Sequence, residues 1–380
     1  RSRRPFDFDG FELFGSISDT YFEESKKYGL NVNLLASNRW ETGIGEIGIL
    51  LNASLVETEF LDSTRENAFF IPEATVDGVR AFFPDTQAVF FGQSDRYRPS
   101  VNGSIQWRPS DELTITFDGL FQGYRSDDFN RFRRFNLFGE PIFSDLVLGD
   151  DGISARSVVF ENAPLPFGFD EFSKVSTDTY QFGGNVTWRG ERLRVSGDLA
   201  YTDSTFKRDQ TNIDSLLLGV GPVLAEFETD RAEGGPTFDI GNYNIFNPNN
   251  NRFDGLFEFR NLAKGDDIQA RADAAYDLDM GFLKDVMVGV RFTDRDASRQ
   301  QGGRFTFQGF RDIRFGDPRL PFFVRPSEPG FSFDNTLDFR SVLTPDFDSV
   351  KDNIVDLRAL VGAPLTPPDF VEQESFAATE

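Results

Sequence analysis

The densest grouping of chemically capable side chains in this chain is Phe129-Asn-Arg131-Phe-Arg133-Arg134-Phe135. Three guanidiniums among aromatic rings suit an anionic or sugar ligand, or the phosphates of lipopolysaccharide, because arginine's planar fork binds oxyanions through paired hydrogen bonds. The bland alternative is that these arginines pair with Asp127, Asp128 and Asp145 and hold a loop together. A second grouping, Asn242-Tyr243-Asn-Ile-Phe-Asn-Pro-Asn-Asn-Asn251, sets amides beside rings, a surface that fits a sugar and is also common turn composition. Acidic pairs at Glu23-Glu24, Asp266-Asp267 and Asp294 with Asp296 carry the hard oxygens that Ca²⁺ prefers. None has the spacing of a calcium-binding loop, and exposed acidic loops account for them.

The chain has no His and no Cys, which removes His-based triads, thiol nucleophiles, His general bases and His or Cys metal sites together. With 62 Asp and Glu residues some carboxylate proximity is inevitable, and no spacing singles out a glycosidase pair. The reading is therefore of a protein that is not an enzyme and needs no cofactor. A net charge of -23 argues against nucleic acid as a partner, since phosphate binding needs clustered cations. The lack of Cys fits a secreted chain that avoids mispairing. Phe, at 45 residues against 8 Tyr and 3 Trp, must be buried, face lipid or line a binding surface.

The elements that must position these groups read as strands. No apolar run reaches about 18 to 20 residues, so a transmembrane helix is excluded on length. A membrane β-barrel is compatible with the mean hydropathy of -0.38, because its strands alternate apolar and polar residues. Val101 to Trp107 and Leu113 to Gln122 alternate in this way around the turn Arg108-Pro-Ser-Asp-Glu112. The same design recurs at Tyr180 to Trp188 with Leu193 to Tyr201, at Ile268 to Tyr276 with Val286 to Thr293, and at Val32 to Ala36 with Ile47 to Leu55. With Phe11 to Tyr21 and Phe370 to Ala378 these make about ten strands.

Between the short-turned hairpins lie long stretches, 57–95, 125–176, 203–266 and 298–367, read as irregular. Only Glu23 to Gly29 is a short connection on that side. Loops of this length are uncommon in compact soluble domains, whereas outer-membrane barrels combine short periplasmic turns with long extracellular loops. Trp40, Trp107 and Trp188, with Tyr276 in the equivalent place, each close a strand just before a short turn and in phase with its apolar residues. They read as one aromatic girdle at a membrane–water interface.

Arg3-Arg-Pro-Phe-Asp-Phe-Asp-Gly-Phe11 resembles the junction of TonB-dependent receptors, where the chain leaves the plug domain and begins the first barrel strand. Ser37-Asn-Arg-Trp40, Gln106-Trp-Arg-Pro-Ser-Asp111, Asp118-Gly-Leu-Phe-Gln-Gly-Tyr124 and Gly289-Val-Arg-Phe-Thr-Asp-Arg-Asp296 are similar to the barrel of a proteobacterial group in that family. The resemblance implies a roughly 22-stranded plugged barrel that imports a scarce large nutrient, such as a siderophore, vitamin or carbohydrate, on energy delivered through the TonB complex.

The expected fold is thus all-β: residues 1–10 a junction after a plug, and 11–380 about ten strands of a partial antiparallel transmembrane barrel, with a plug expected before Arg1 and further strands after Glu380. Expected partners are the TonB complex through that plug, a nutrient ligand, and outer-membrane lipid and lipopolysaccharide, in the outer membrane of a Gram-negative bacterium. A passive porin-like channel and a secreted β-rich glycan-binding protein are the alternatives.

Overall fold

The computed structural model describes residues 3–68, 73–136, 142–161, 166–227, 236–281, 283–309, 311–327 and 341–379. In chain order the strands are β1 (Glu12–Phe22), β2 (Lys27–Thr42), β3 (Gly45–Ala68), β4 (Glu73–Val76), β5 (Val79–Phe82), β6 (Thr86–Ser110), β7 (Leu113–Asn136), β8 (Phe143–Leu148) and β9 (Ala155–Phe160). They continue as β10 (Phe167–Arg189), β11 (Leu193–Leu217), β12 (Val223–Glu226), β13 (Thr237–Asp239), β14 (Asn251–Met280), β15 (Leu283–Phe307), β16 (Val324–Pro326) and β17 (Leu343–Pro345). Two short helices, α1 (Phe347–Asp352) and α2 (Ile354–Val361), precede β18 (Val371–Thr379).

The fold is all-β, and ten strands form one antiparallel sheet in the order β1-β2-β3-β6-β7-β10-β11-β14-β15-β18. All four hairpins expected from alternation are present, as are the opening and closing strands. Turn chemistry sets their ends. At the β2–β3 turn Gly45 has φ +105, and a Cβ there would lie 2.3 Å from the Arg108 carbonyl oxygen, so only glycine fits.

One expectation is corrected. The stretches read as irregular are largely strand: β3 runs on to Ala68, β7 to Asn136, β11 to Leu217 and β15 to Phe307, with their partners starting equally far out. Their period-two signal fades because aromatic and charged residues fall on both faces there, as Phe132 and Arg133 do on β7. The four-stranded sheet β13-β12-β9-β8 and the β4–β5 hairpin pack on the face that carries the tryptophans, with Val89, Phe91, Phe135 and Leu217 of the main sheet in a core with Phe83, Val158, Phe160 and Phe238. Phe135 and Phe238 rings lie 4.3 Å apart.

Farther along the same face, Ile213, Phe253 and Leu256 pack with Phe347, Val350, Leu357 and Val361 of the helices. Asp346 caps α1 by accepting from Ser349 N at 3.0 Å, and Gly362 ends α2 at φ +74. Among the described residues no helix is long and apolar enough to cross a membrane, a statement that does not bear on strands.

Candidate functional site

The ten-stranded sheet has two chemically opposed faces near its short-turn end. Directly paired residues of an antiparallel ladder share a face, so the register sorts every side chain. One face carries Ile49, Leu51, Ile105, Phe117, Phe182, Val186, Val195, Leu199, Val288 and Val290, all exposed. Trp40, Trp107, Trp188 and Tyr276 border this band at the short turns, 36 to 46% exposed. Trp107 Nε1 donates to the Ile44 carbonyl at 2.9 Å, giving the polar end of that ring a partner.

A second aromatic border, which sequence reading missed, lies toward the long connections: Tyr21, Tyr28, Tyr97, Tyr180, Tyr201 and Phe292, all exposed on the same face. Its signal was legible as tyrosines eight to twelve residues from the turn-side ring and in phase with it, as in Tyr97 with Trp107 and Tyr180 with Trp188. Immediately beyond it that face turns acidic, with Asp203, Asp266 and Asp296 directly opposite one another on three adjacent strands. Asp267 points to the other face and pairs with Arg295, so Asp266 and Asp267 do not converge on one ion.

The opposite face is hydrogen-bonded from strand to strand. Asn52 Nδ2 donates to Asn102 Oδ1 at 3.0 Å, Ser104 Oγ to Asp118 Oδ1 at 2.7 Å and Gln106 Nε2 to Thr116 Oγ1 at 3.2 Å. Glu46 lies between Arg39 at 3.2 Å and Arg108 at 3.0 Å.

The opening segment crosses this polar face before β1. Arg4 Nη2 meets Asp118 Oδ2 at 2.6 Å, Phe6 N donates to Gln106 Oε1 at 2.9 Å, and the Arg108 guanidinium sits 4.5 Å over the Phe6 ring. Gly48 makes room, since a Cβ there would lie 2.5 Å from Pro5 Cβ and 2.9 Å from Phe6 Cε1. Gly48→Val is therefore expected to lift this segment and lose the Phe6 hydrogen bond, about 1 kcal/mol. Amide exchange at Phe6 should rise roughly fivefold with β3 and β6 unchanged; an unaltered rate at Phe6 counts against the contact.

The arginine grouping does not sit in a loop but in the outer reach of β7, and the sheet splits it. Arg131 and Arg133 lie on the face covered by the packed connections, Arg134 on the polar face beside the Phe167 ring at 5.4 Å. Arg131 and Arg133 are buried. Arg133 pairs with Asp170 at 3.0 Å and donates to the carbonyls of Phe132, Phe169 and Leu343 at 2.8, 3.3 and 2.9 Å. A Cβ at Gly168 would fall 2.8 Å from Arg133 Cδ, so the residue between Phe167 and Phe169 must be small. The partner of Arg133 is Asp170 of β10, while Asp127 faces Lys174 and Asp128 accepts from Ser94 and Ser126. Arg133 is a clamp between strands and cap.

The Asn242–Asn251 segment is a turn satisfied by its own amides. Asn247 Oδ1 accepts from Asn249 N, Asn244 Oδ1 from Phe246 N, and Asn250 Nδ2 donates to the Asn244 carbonyl. Tyr243 lies half-buried with its hydroxyl 3.0 Å from the Leu218 carbonyl and 3.2 Å from that of Asn250, and burial pushes it up to about 12. Asn242 is exposed at the rim of an open hollow of about 770 Å³ that Arg314 also lines.

Comparison of the chain with protein-family models, with curated proteins and with solved structures gives no match in any of the three.

Proposed function

We propose that this chain is the opening part of a TonB-dependent receptor barrel, which carries a scarce nutrient across the outer membrane. The observation that supports this most directly is the exposed apolar face bounded by aromatic rings on both sides. From Tyr97 to Trp107 the strand rises about 33 Å, which at a tilt of about 40° is about 25 Å of height, the thickness of a barrel's lipid-facing band. A soluble protein has no use for so large an apolar surface, whereas lipid covers it without cost. The hydrogen-bonded polar face then lines the lumen, and the opening segment crosses it where a preceding plug has to join the first strand. On this reading the TonB complex acts through that plug, the chain performs no catalysis, and it holds no cofactor.

The absence of Cys makes the test clean. Single cysteines at Ile105, Leu199 and Val290 of the whole receptor in native membranes are expected to report an apolar environment accessible to lipid-phase quenchers. Cysteines at Asp198 and Thr202, one residue out of phase, should react with water-soluble maleimide. Uniform aqueous reactivity, or recovery of the protein in the aqueous phase after detergent partition, overturns the membrane reading. Uptake that persists after the inner-membrane proton gradient is collapsed favours the passive channel.

A further inference from the structure

Among the described residues of β3 to β15 the polar face carries one aromatic residue at the level of the apolar band, Tyr124 at its outer edge beside Arg98, and beyond the band the same face becomes rich in them. Two groups stand there, Phe90, Phe132, Phe167 and Phe169 on β6, β7 and β10, and a second on β14 and β15. Phe257 stands opposite Phe305, with ring centroids 6.5 Å apart; Phe259 follows Phe257 at 6.4 Å, and Phe307 follows Phe305 at 6.2 Å. Phe305 and Phe307 remain about half exposed. Phe259 is paired with Gly303, so no side chain on β15 covers that ring, and a Cβ at Gly303 would stand in ordinary contact with it at 3.8 Å.

Amides flank the rings. On β11, Asn212 is opposite Phe257 and Gln210 opposite Phe259; one row below, Asn261 is opposite Gln301. Gln210 Nε2 is held by Glu171 and by Asn212 Oδ1, both at 2.9 Å, which fixes the plane of its amide and leaves its oxygen directed elsewhere. Glu171, the carboxylate that holds the Gln210 amide, is itself met by Arg208 at 3.0 Å.

From this juxtaposition we infer that the β11–β14–β15 wall beyond the apolar band is a binding surface for a neutral oligosaccharide. Rings supply platforms for the C–H faces of sugar residues, planar amides satisfy vicinal hydroxyls in pairs, and the carboxylate among those amides, Glu171, is already engaged by Arg208. The inference rests on the receptor reading and narrows its nutrient.

The test uses the whole receptor purified in detergent and a panel of linear neutral hexasaccharides, acidic oligosaccharides and a ferric tris-catecholate. At least one neutral hexasaccharide should bind, at least tenfold more weakly in Phe305→Ala and in Gly303→Met, the second by filling the space over Phe259; Phe305→Trp should retain binding. Phe305→Cys should react with impermeant maleimide on intact cells and be protected by the bound sugar. Heat-modifiable mobility on gels identifies any variant that has failed to fold, and for that variant the maleimide protection decides. Binding of the chelate with no neutral sugar bound, sugar binding indifferent to both substitutions, or a Phe305→Cys variant that never reacts because another segment covers the position overturns the inference. Failure of the receptor reading is separate and shows in membrane fractionation, whatever the panel binds.

Discussion

Replacing Arg133 by methionine is expected to loosen the packed connections from the sheet by about 3–5 kcal/mol, the usual consequence of stranding one member of a buried ion pair. Both side chains of the Arg133–Asp170 pair are essentially inaccessible, at 1% and 0% exposure. Methionine keeps the apolar stem, so packing is largely preserved and the loss is electrostatic. Among the described residues Asp170 would retain only the Thr344 hydroxyl as a hydrogen-bond donor, at 2.9 Å, against the cost of a buried carboxylate. The Leu343 carbonyl would lose its donor as well, which ties the effect to β17 and the helices that follow. Amide exchange in residues 341–350 should accelerate by two orders of magnitude or more, while the β2–β3 hairpin keeps its rates. Adding Asp170→Leu should restore most of the loss, because a neutral, well-packed replacement of a buried pair is often as stable as the pair. Unchanged exchange in the single variant shows that the pair is solvated and contributes nothing.

The same residue explains what was legible in the sequence. Leu113 to Gln122 alternates because one side of that strand is apolar and exposed and the other polar, so a period of two survives in the composition. From Phe129 to Phe135 the apolar residues are Phe129, Phe132 and Phe135, a spacing of three that disguises a strand. Phe129 and Phe135 pack under the connections, Phe132 faces the other way against Phe169 with rings 5.1 Å apart, and Arg131 and Arg133 are drawn into the covered face by partners distant in sequence. No local pattern encodes Asp170 or the Leu343 carbonyl as the partner of Arg133. The same holds for the sheet β13-β12-β9-β8, in which β9 pairs with β12 across two separate connections. The hairpins, the turn-side rings and the ten-strand count depended on neighbours in sequence and were readable. The candidate wall at Phe257 and Phe305 was not, because its meaning comes from a change of composition along one face, which appears only after the register is known.

Asp214→Asn is expected to stabilise the outer reach of the sheet in a strongly pH-dependent way. Asp214 lies on β11 well beyond the Tyr201 border of the apolar band, buried beside two further carboxylates, Asp254 of β14 and Asp170 of β10. Arg252 is 3.6 Å from Asp254, and Arg133 is committed to Asp170. Burial first, then the charges of Asp254 and Asp170, push the Asp214 carboxyl from 3.8 up to about 7. Burial also pushes Asp254 up, against the pull of Arg252. The sign follows from which state gives up its proton first. Below 3.8 Asp214 is protonated whether the region is closed or open, and its titration has no effect on stability. Between 3.8 and about 7 the open state ionises while the closed state holds its proton, so closure weakens steadily as pH rises. Above about 7 both states are ionised, and the accumulated penalty is roughly 4 kcal/mol at 1.36 kcal/mol per pH unit. Asparagine keeps the shape of the protonated acid and never ionises. Opening free energies from amide exchange over residues 213–217 and 251–256 should therefore match between wild type and Asp214→Asn near pH 4, then diverge to several kcal/mol by pH 8. A gap that stays constant with pH means that Asp214 titrates as an ordinary solvated carboxylate.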